Sequence, residues 1–79
     1  MGAMEKPPTM LGHGELPYPA GTLMVDTVSE RTGRLVGVIE ERLKESGKVI
    51  SRQAFLRPEG GGTEWDVPLS RIKIARGGE

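Results

Sequence analysis

From Gly21 onward the chain alternates short apolar runs with clusters of turn-forming residues, the pattern of an all-β domain with hairpin connections. "TLMVD" (Thr22 to Asp26) is the first strand. It is followed by polar "SERTGR", in which Thr32-Gly33 suits a tight bend. "LVGVIEER" (Leu35 to Arg42) is the second strand, and Gly37 marks a bulge where strict alternation fails. "ESGK" (Glu45 to Lys48) turns the chain into the third strand, "VISRQAFLR" (Val49 to Arg57). After a glycine loop, "EWDVP" forms the fourth strand, ended by Pro68, and "PLSR" supplies one helical turn. Ile72 to Ala75 then make a short fifth strand with Ile72 and Ile74 on one face.

Five short strands with a helical turn before the last is the order of a small SH3-like barrel, the expected fold. The rival is a βαββ α+β fold, because Val38 to Ser46 also carries helix signals. Ile39 and Leu43 lie four apart, Glu40 to Lys44 is in favourable i,i+4 order, and Gly47 could stop a helix. Val36, Gly37, Val38 and Ile39 are poor helix formers, so the strand is kept to about Arg42, with a helical turn allowed up to Ser46.

Upstream, Pro7, Pro8, Pro17 and Pro19 interrupt a stretch of little apolar periodicity, and residues 1–18 read as a disordered leader to a domain over 19–76, with 77–79 a flexible tail. "MGAM" reads as a tag remnant, residues 1–3, ahead of a natural start at Met4. "LPYP" (Leu16 to Pro19) could serve as a ligand for an aromatic groove, but composition favours a lead into the first strand with Tyr18 resting on the domain.

The loop "PEGGGT" (Pro58 to Thr63) raises the question of a phosphate cradle. A phosphate loop needs GxxxxGK[ST] ahead of a helix, whereas these glycines run into Thr63-Glu64, and Gly47-Lys48 lacks both the upstream glycine and the following Ser or Thr. The loop is therefore a chain reversal whose glycines supply positive φ. If Arg57 and Glu64 close it, Leu56 faces Trp65 and Ala54 faces Val67. Those four share one apolar face, while Phe55, Arg57, Glu64 and Asp66 share the other. Glu64 and Asp66 are a carboxylate pair, but so short a chain builds no cleft around them to shift a pKa, and they read as a solvated face.

Composition narrows the classes further. Seventy-nine residues make room for one domain, and the absence of cysteine excludes a disulfide framework and thiolate metal sites. The lone His13 leaves no zinc set, no cofactor is expected, and no apolar run reaches bilayer length, which points to a cytoplasmic protein with no membrane partner. Lys plus Arg equals Asp plus Glu at 11 each, yet residues 46–79 hold six basic against four acidic residues, leaving room for a local basic patch.

Thr32-Gly33-Arg34, Leu56-Arg57-Pro58, Gly60-Gly61-Gly62 and Glu64-Trp65-Asp66 together resemble a pattern in a group of short, mostly uncharacterised actinobacterial proteins. The likeness covers Gly21 to Ala75 and implies a domain without implying an activity. "TGRLVGVIEE" is also similar to the KOW and Tudor-like barrels of transcription and translation factors. That similarity implies an RNA or DNA role.

The expectation is a non-enzymatic interaction module that binds another protein in a regulatory role. Phe55 would be the apolar anchor, with Arg57, Glu64 and Asp66 as polar rim. The alternative is nucleic-acid binding through Arg52, Arg71, Lys73 and Arg76, with Phe55 stacking on a base.

Overall fold

The computed structural model describes residues 7–75, which form six strands, one turn of 3-10 helix and no α-helix. Strand β1 spans Thr9–His13, β2 Leu23–Asp26, β3 Thr32–Leu43, β4 Val49–Arg57, β5 Trp65–Pro68 and β6 Ile72–Ile74, with the 3-10 turn at Leu69–Arg71. Every pairing is antiparallel, in the order β5-β4-β3-β2-β6, with β1 added to β3, and the sheet is not closed. The protein is all-β. The helical alternative over Val38 to Ser46 is not what forms: β3 runs to Leu43, and the following turn closes where the Gly47 N–H donates to the Leu43 carbonyl at 2.8 Å.

Strand β3 organises the molecule because it has more length than any one neighbour can cover. Its Thr32–Arg34 part pairs with β2, its Ile39–Leu43 part pairs with β1, and β4 runs along its other edge. The register against β4 shifts between Leu35 and Gly37, leaving Val36 as the extra residue, so the bulge expected at Gly37 is present. A second shift, between Glu41 and Arg42, leaves Ile50 as the extra residue on β4. The first bulge falls where β3 passes from one partner to the other.

Two expectations need correction. The expected disordered leader over residues 1–18 contains β1, so ordered structure begins well before the boundary drawn at residue 19. Apolar periodicity gave no sign of it because this strand is held by its backbone and by the open edge of β3. Lys44 N–H donates to the Pro8 carbonyl at 3.1 Å, Gly14 N–H to the Val38 carbonyl at 2.9 Å, and Thr9 Oγ1 to Glu41 Oε2 at 2.7 Å. Likewise Thr32-Gly33 is not the bend but the start of β3. The chain reverses earlier, over Thr27–Glu30, with Glu30 at φ 66° and the Glu30 N–H donating to the Asp26 carbonyl. The expected tag remnant (residues 1–3) and the tail (77–79) lie outside the described residues.

The core gathers at the β2 end of this frame. Met24, Leu35, Val38, Ala54, Leu56 and Val67 are buried, and Trp65, Leu69 and Ile72 pack around them. Ile74, expected on the same face as Ile72, is 46% exposed. Each large side chain so buried contributes about 1.5–3 kcal/mol. No helix among the described residues is long and apolar enough to cross a membrane.

Candidate functional site

The β4–β5 hairpin positions the candidate face. Its register pairs Ala54 with Val67, Phe55 with Asp66 and Leu56 with Trp65, as the alternation of apolar and polar residues requires. Gly60, Gly61 and Gly62 all take positive φ, 83°, 99° and 119°, so the triple glycine is the backbone solution to this reversal. Arg57 closes the loop by donating from Nε and Nη2 to Glu64 Oε2, at 3.1 and 2.7 Å. Across the sheet Gln53 Nε2 donates to Asp66 Oδ2 at 2.8 Å, and Arg34 pairs with Glu59 at 2.6 Å.

Phe55, Arg57, Glu64 and Asp66 are therefore brought to one face, with Phe55 half-buried and the three charged residues exposed. The β3 bulge adds residues that the sequence did not single out. It sets Gly37 directly opposite Phe55, and the missing side chain opens a hollow of about 250 Å³ lined by His13, Val36, Gly37, Val38, Ile39, Phe55 and Glu64. Val36, the extra residue of the bulge, is 39% exposed beside it. The floor is apolar and the edge polar. Gly37 was the one available signal, but a glycine indicates a bulge without saying which residue of the next strand it will face.

A larger open groove, of about 660 Å³, lies where β4 outruns β5. Val49 to Gln53 form one side, and Pro68, Leu69 and Ser70 the other. It arises because β5 pairs only with Gln53–Leu56 before Pro68 takes the chain into the 3-10 turn. Strand-length mismatch of this kind leaves no mark in the local sequence.

The residues of the alternative nucleic-acid face are dispersed. Arg52 lies two residues from Ala54 on the face opposite Phe55, and its Nε donates to Glu40 Oε2 at 2.9 Å. Arg42 Nη2 donates to the other oxygen of Glu40 at the same distance. These two hydrogen bonds, Arg52 first, outweigh desolvation and hold the Glu40 carboxyl below the usual carboxylate range. Arg71 forks onto buried Asp26, with contacts of 2.9 to 3.2 Å. Lys73 is exposed at the centre of β6, and Arg76 lies outside the described residues.

Asp26 is the most heavily bonded carboxylate. It accepts from the Val28 N–H at 3.0 Å and the Ser29 hydroxyl at 2.9 Å, besides Arg71. The backbone bond from Val28 leads in lowering its pKa, burial opposes it, and Ser29 and Arg71 assist, bringing it from 3.8 to about 2. Its partners tie β2, the following turn and the 3-10 turn together, which is an architectural role. Trp65 packs against the core with Arg31 stacked 3.8 Å from its ring centroid, while its Nε1 is buried with no hydrogen-bond partner among the described residues. Among the described residues no group of three or more His, Cys, Asp or Glu could hold a metal ion.

Comparison with known proteins brings no relative: no family model, no curated protein and no solved structure matches the chain.

Proposed function

We propose that this protein is a non-enzymatic interaction module that binds another protein, in a regulatory role, through the outer face of β4 and β5. The carrying observation is the Phe55 hollow: an apolar floor of Val36, Ile39 and Phe55 beside Glu64, with Arg57 and Asp66 next to it. An apolar centre with a polar rim is the anatomy of a protein interface, and an aromatic anchor next to arginine is typical of its energetic centre. The SH3-like reading of the fold belongs to the same proposal. It is supported by the sheet path β5-β4-β3-β2-β6 and the 3-10 turn just before β6, with β1 an addition to the pattern.

Nucleic-acid binding is the competing outcome. Arg52 and Arg71 are each committed to a buried carboxylate, and Arg52 and Phe55 face opposite sides of β4, which disfavours it. The test is capture of partners from a lysate of the source organism with the native chain, Phe55→Ala and Lys73→Ala. Under the proposal, a protein is retained by the native chain and by Lys73→Ala, survives nuclease treatment and is lost with Phe55→Ala. Retention of nucleic acid with a steep dependence on salt would transfer the function to the phosphate-binding class.

A further inference from the structure

Among the described residues strand β1 leaves one edge of the sheet unpaired, and its composition differs from that of the other free edges. Proteins blunt exposed edges with charged residues, proline, bulges or very short strands. Among the described residues, β6 has only three residues with Lys73 at its centre, and β5 carries Asp66 and ends in Pro68. The uncovered part of β4 contains the Ile50 bulge and Arg52. From Thr9 to His13 β1 has none of these devices, and its prolines, Pro7 and Pro8, stand before the strand begins. Its register against β3 runs without a shift from Thr9 opposite Leu43 to His13 opposite Ile39, and "TMLGH" contains neither proline, acid, lysine nor arginine. It also exposes Leu11 at 72% and Met10 at 52%.

We propose that the occupant of this edge is the β1 strand of a second copy of this chain, paired antiparallel about a two-fold axis at Leu11. Such an arrangement is self-complementary in detail. Leu11 meets its own copy on the outer face, and Thr9 meets His13 at either end, so the single titratable side chain of the strand never meets its like. On the inner face Met10 lies opposite Gly12 of the other copy. A Cβ built on Gly12 would find nothing within 4 Å, so the space that Met10 needs is open, and the symmetry supplies it twice. The same operation at β6 would set Lys73 against Lys73, which the charges oppose. The result is one continuous sheet running through β3, β1, β1 and β3 of the two copies. Only five residues a side take part, so the dimer is weak and forms with concentration rather than obligately.

His13 borders both the Phe55 hollow and the paired edge, but the contact uses none of the charged residues around Phe55, so Phe55→Ala tests partner capture and Leu11→Lys tests self-association, each by its own readout. Sedimentation velocity over a concentration series is the experiment, with the native chain, Leu11→Lys and Ile74→Lys. The expected result is a monomer–dimer equilibrium in the native chain and Ile74→Lys, weakened about tenfold or more in Leu11→Lys. Because the chain has no cysteine, Leu11→Cys gives a second readout. It should oxidise to a covalent dimer much faster than Val28→Cys, a comparably exposed loop position at 69%. A native chain monomeric at every concentration, a dimer indifferent to Leu11→Lys, or equal cross-linking of the two cysteine variants would overturn the proposal.

Discussion

At Gly33 a single hydrogen decides whether two strands can close on each other. A Cβ there would lie 2.8 Å from the Arg57 carbonyl oxygen and 2.8 Å from Trp65 Cη2. One of these atoms is backbone and the other belongs to a large packed ring, so neither yields cheaply. Gly33→Ala should destabilise by about 1–3 kcal/mol, read as a lowered midpoint in urea. Trp65 itself is half-buried rather than fully enclosed, which places Trp65→Ala near about 3 kcal/mol, the low end for removing a buried tryptophan. Phe55→Ala on the opposite face should cost about 1 kcal/mol or less. Equal losses for the two aromatics, measured by the same denaturation, would contradict the side assignment that the hairpin register makes.

At the scale of elements, the Asp26 carboxylate joins three pieces of chain that share no continuous sheet register. Its folded pKa is depressed, so the stabilisation it brings is complete above the unfolded value near 3.8 and disappears as pH falls through that value toward about 2. Glu40, also lowered, adds to the loss in the acid range. The urea midpoint of the native chain should therefore drop between about pH 4 and pH 2. Asp26→Asn should start lower at neutral pH and fall less steeply across that window. An unchanged slope in the variant would mean that the ionised form of Asp26 gains no net stabilisation from Val28, Ser29 and Arg71. Bulges act at this scale too: Val36 and Ile50, each the unpaired residue of a register shift, let one long hairpin serve both the core and the extension that β1 completes.

Across the whole molecule, cohesion is uneven. All six core residues lie on β2, on β3 up to Val38, on β4 from Ala54 onward and on β5, whereas β1 and the far halves of β3 and β4 contribute none. A single core in a domain of this size rarely supplies more than about 3–5 kcal/mol. Opening should accordingly begin at the β1 end. Amide hydrogen exchange should be slowest at Leu35, Val38, Ala54 and Leu56 and faster at Glu41, Leu43 and Ser51, although both groups lie in the same two strands. Uniform protection along β3 and β4 would show that β1 stabilises the extension as firmly as the core stabilises the other end.

What the sequence determined by itself is local: the strand class of Val49 to Arg57, the hairpin register around Trp65, the glycine reversal, the Gly37 bulge and the grouping of Phe55 with Arg57, Glu64 and Asp66. Each follows from a period of two or a backbone angle, and both can be read within a few residues. Tertiary structure alone decided the rest. β1 became a strand because β3 had an open edge to fill, and no periodicity of its own announced it. Gly33 proved to serve close packing against Trp65 rather than a bend, since the partner that makes a side chain intolerable lies 32 residues away in sequence. Arg52 and Arg71, legible only as positive charge, were claimed by Glu40 and Asp26, because a buried carboxylate needs hydrogen-bond donors and the fold brings these two from 12 and 45 residues away to join the local ones.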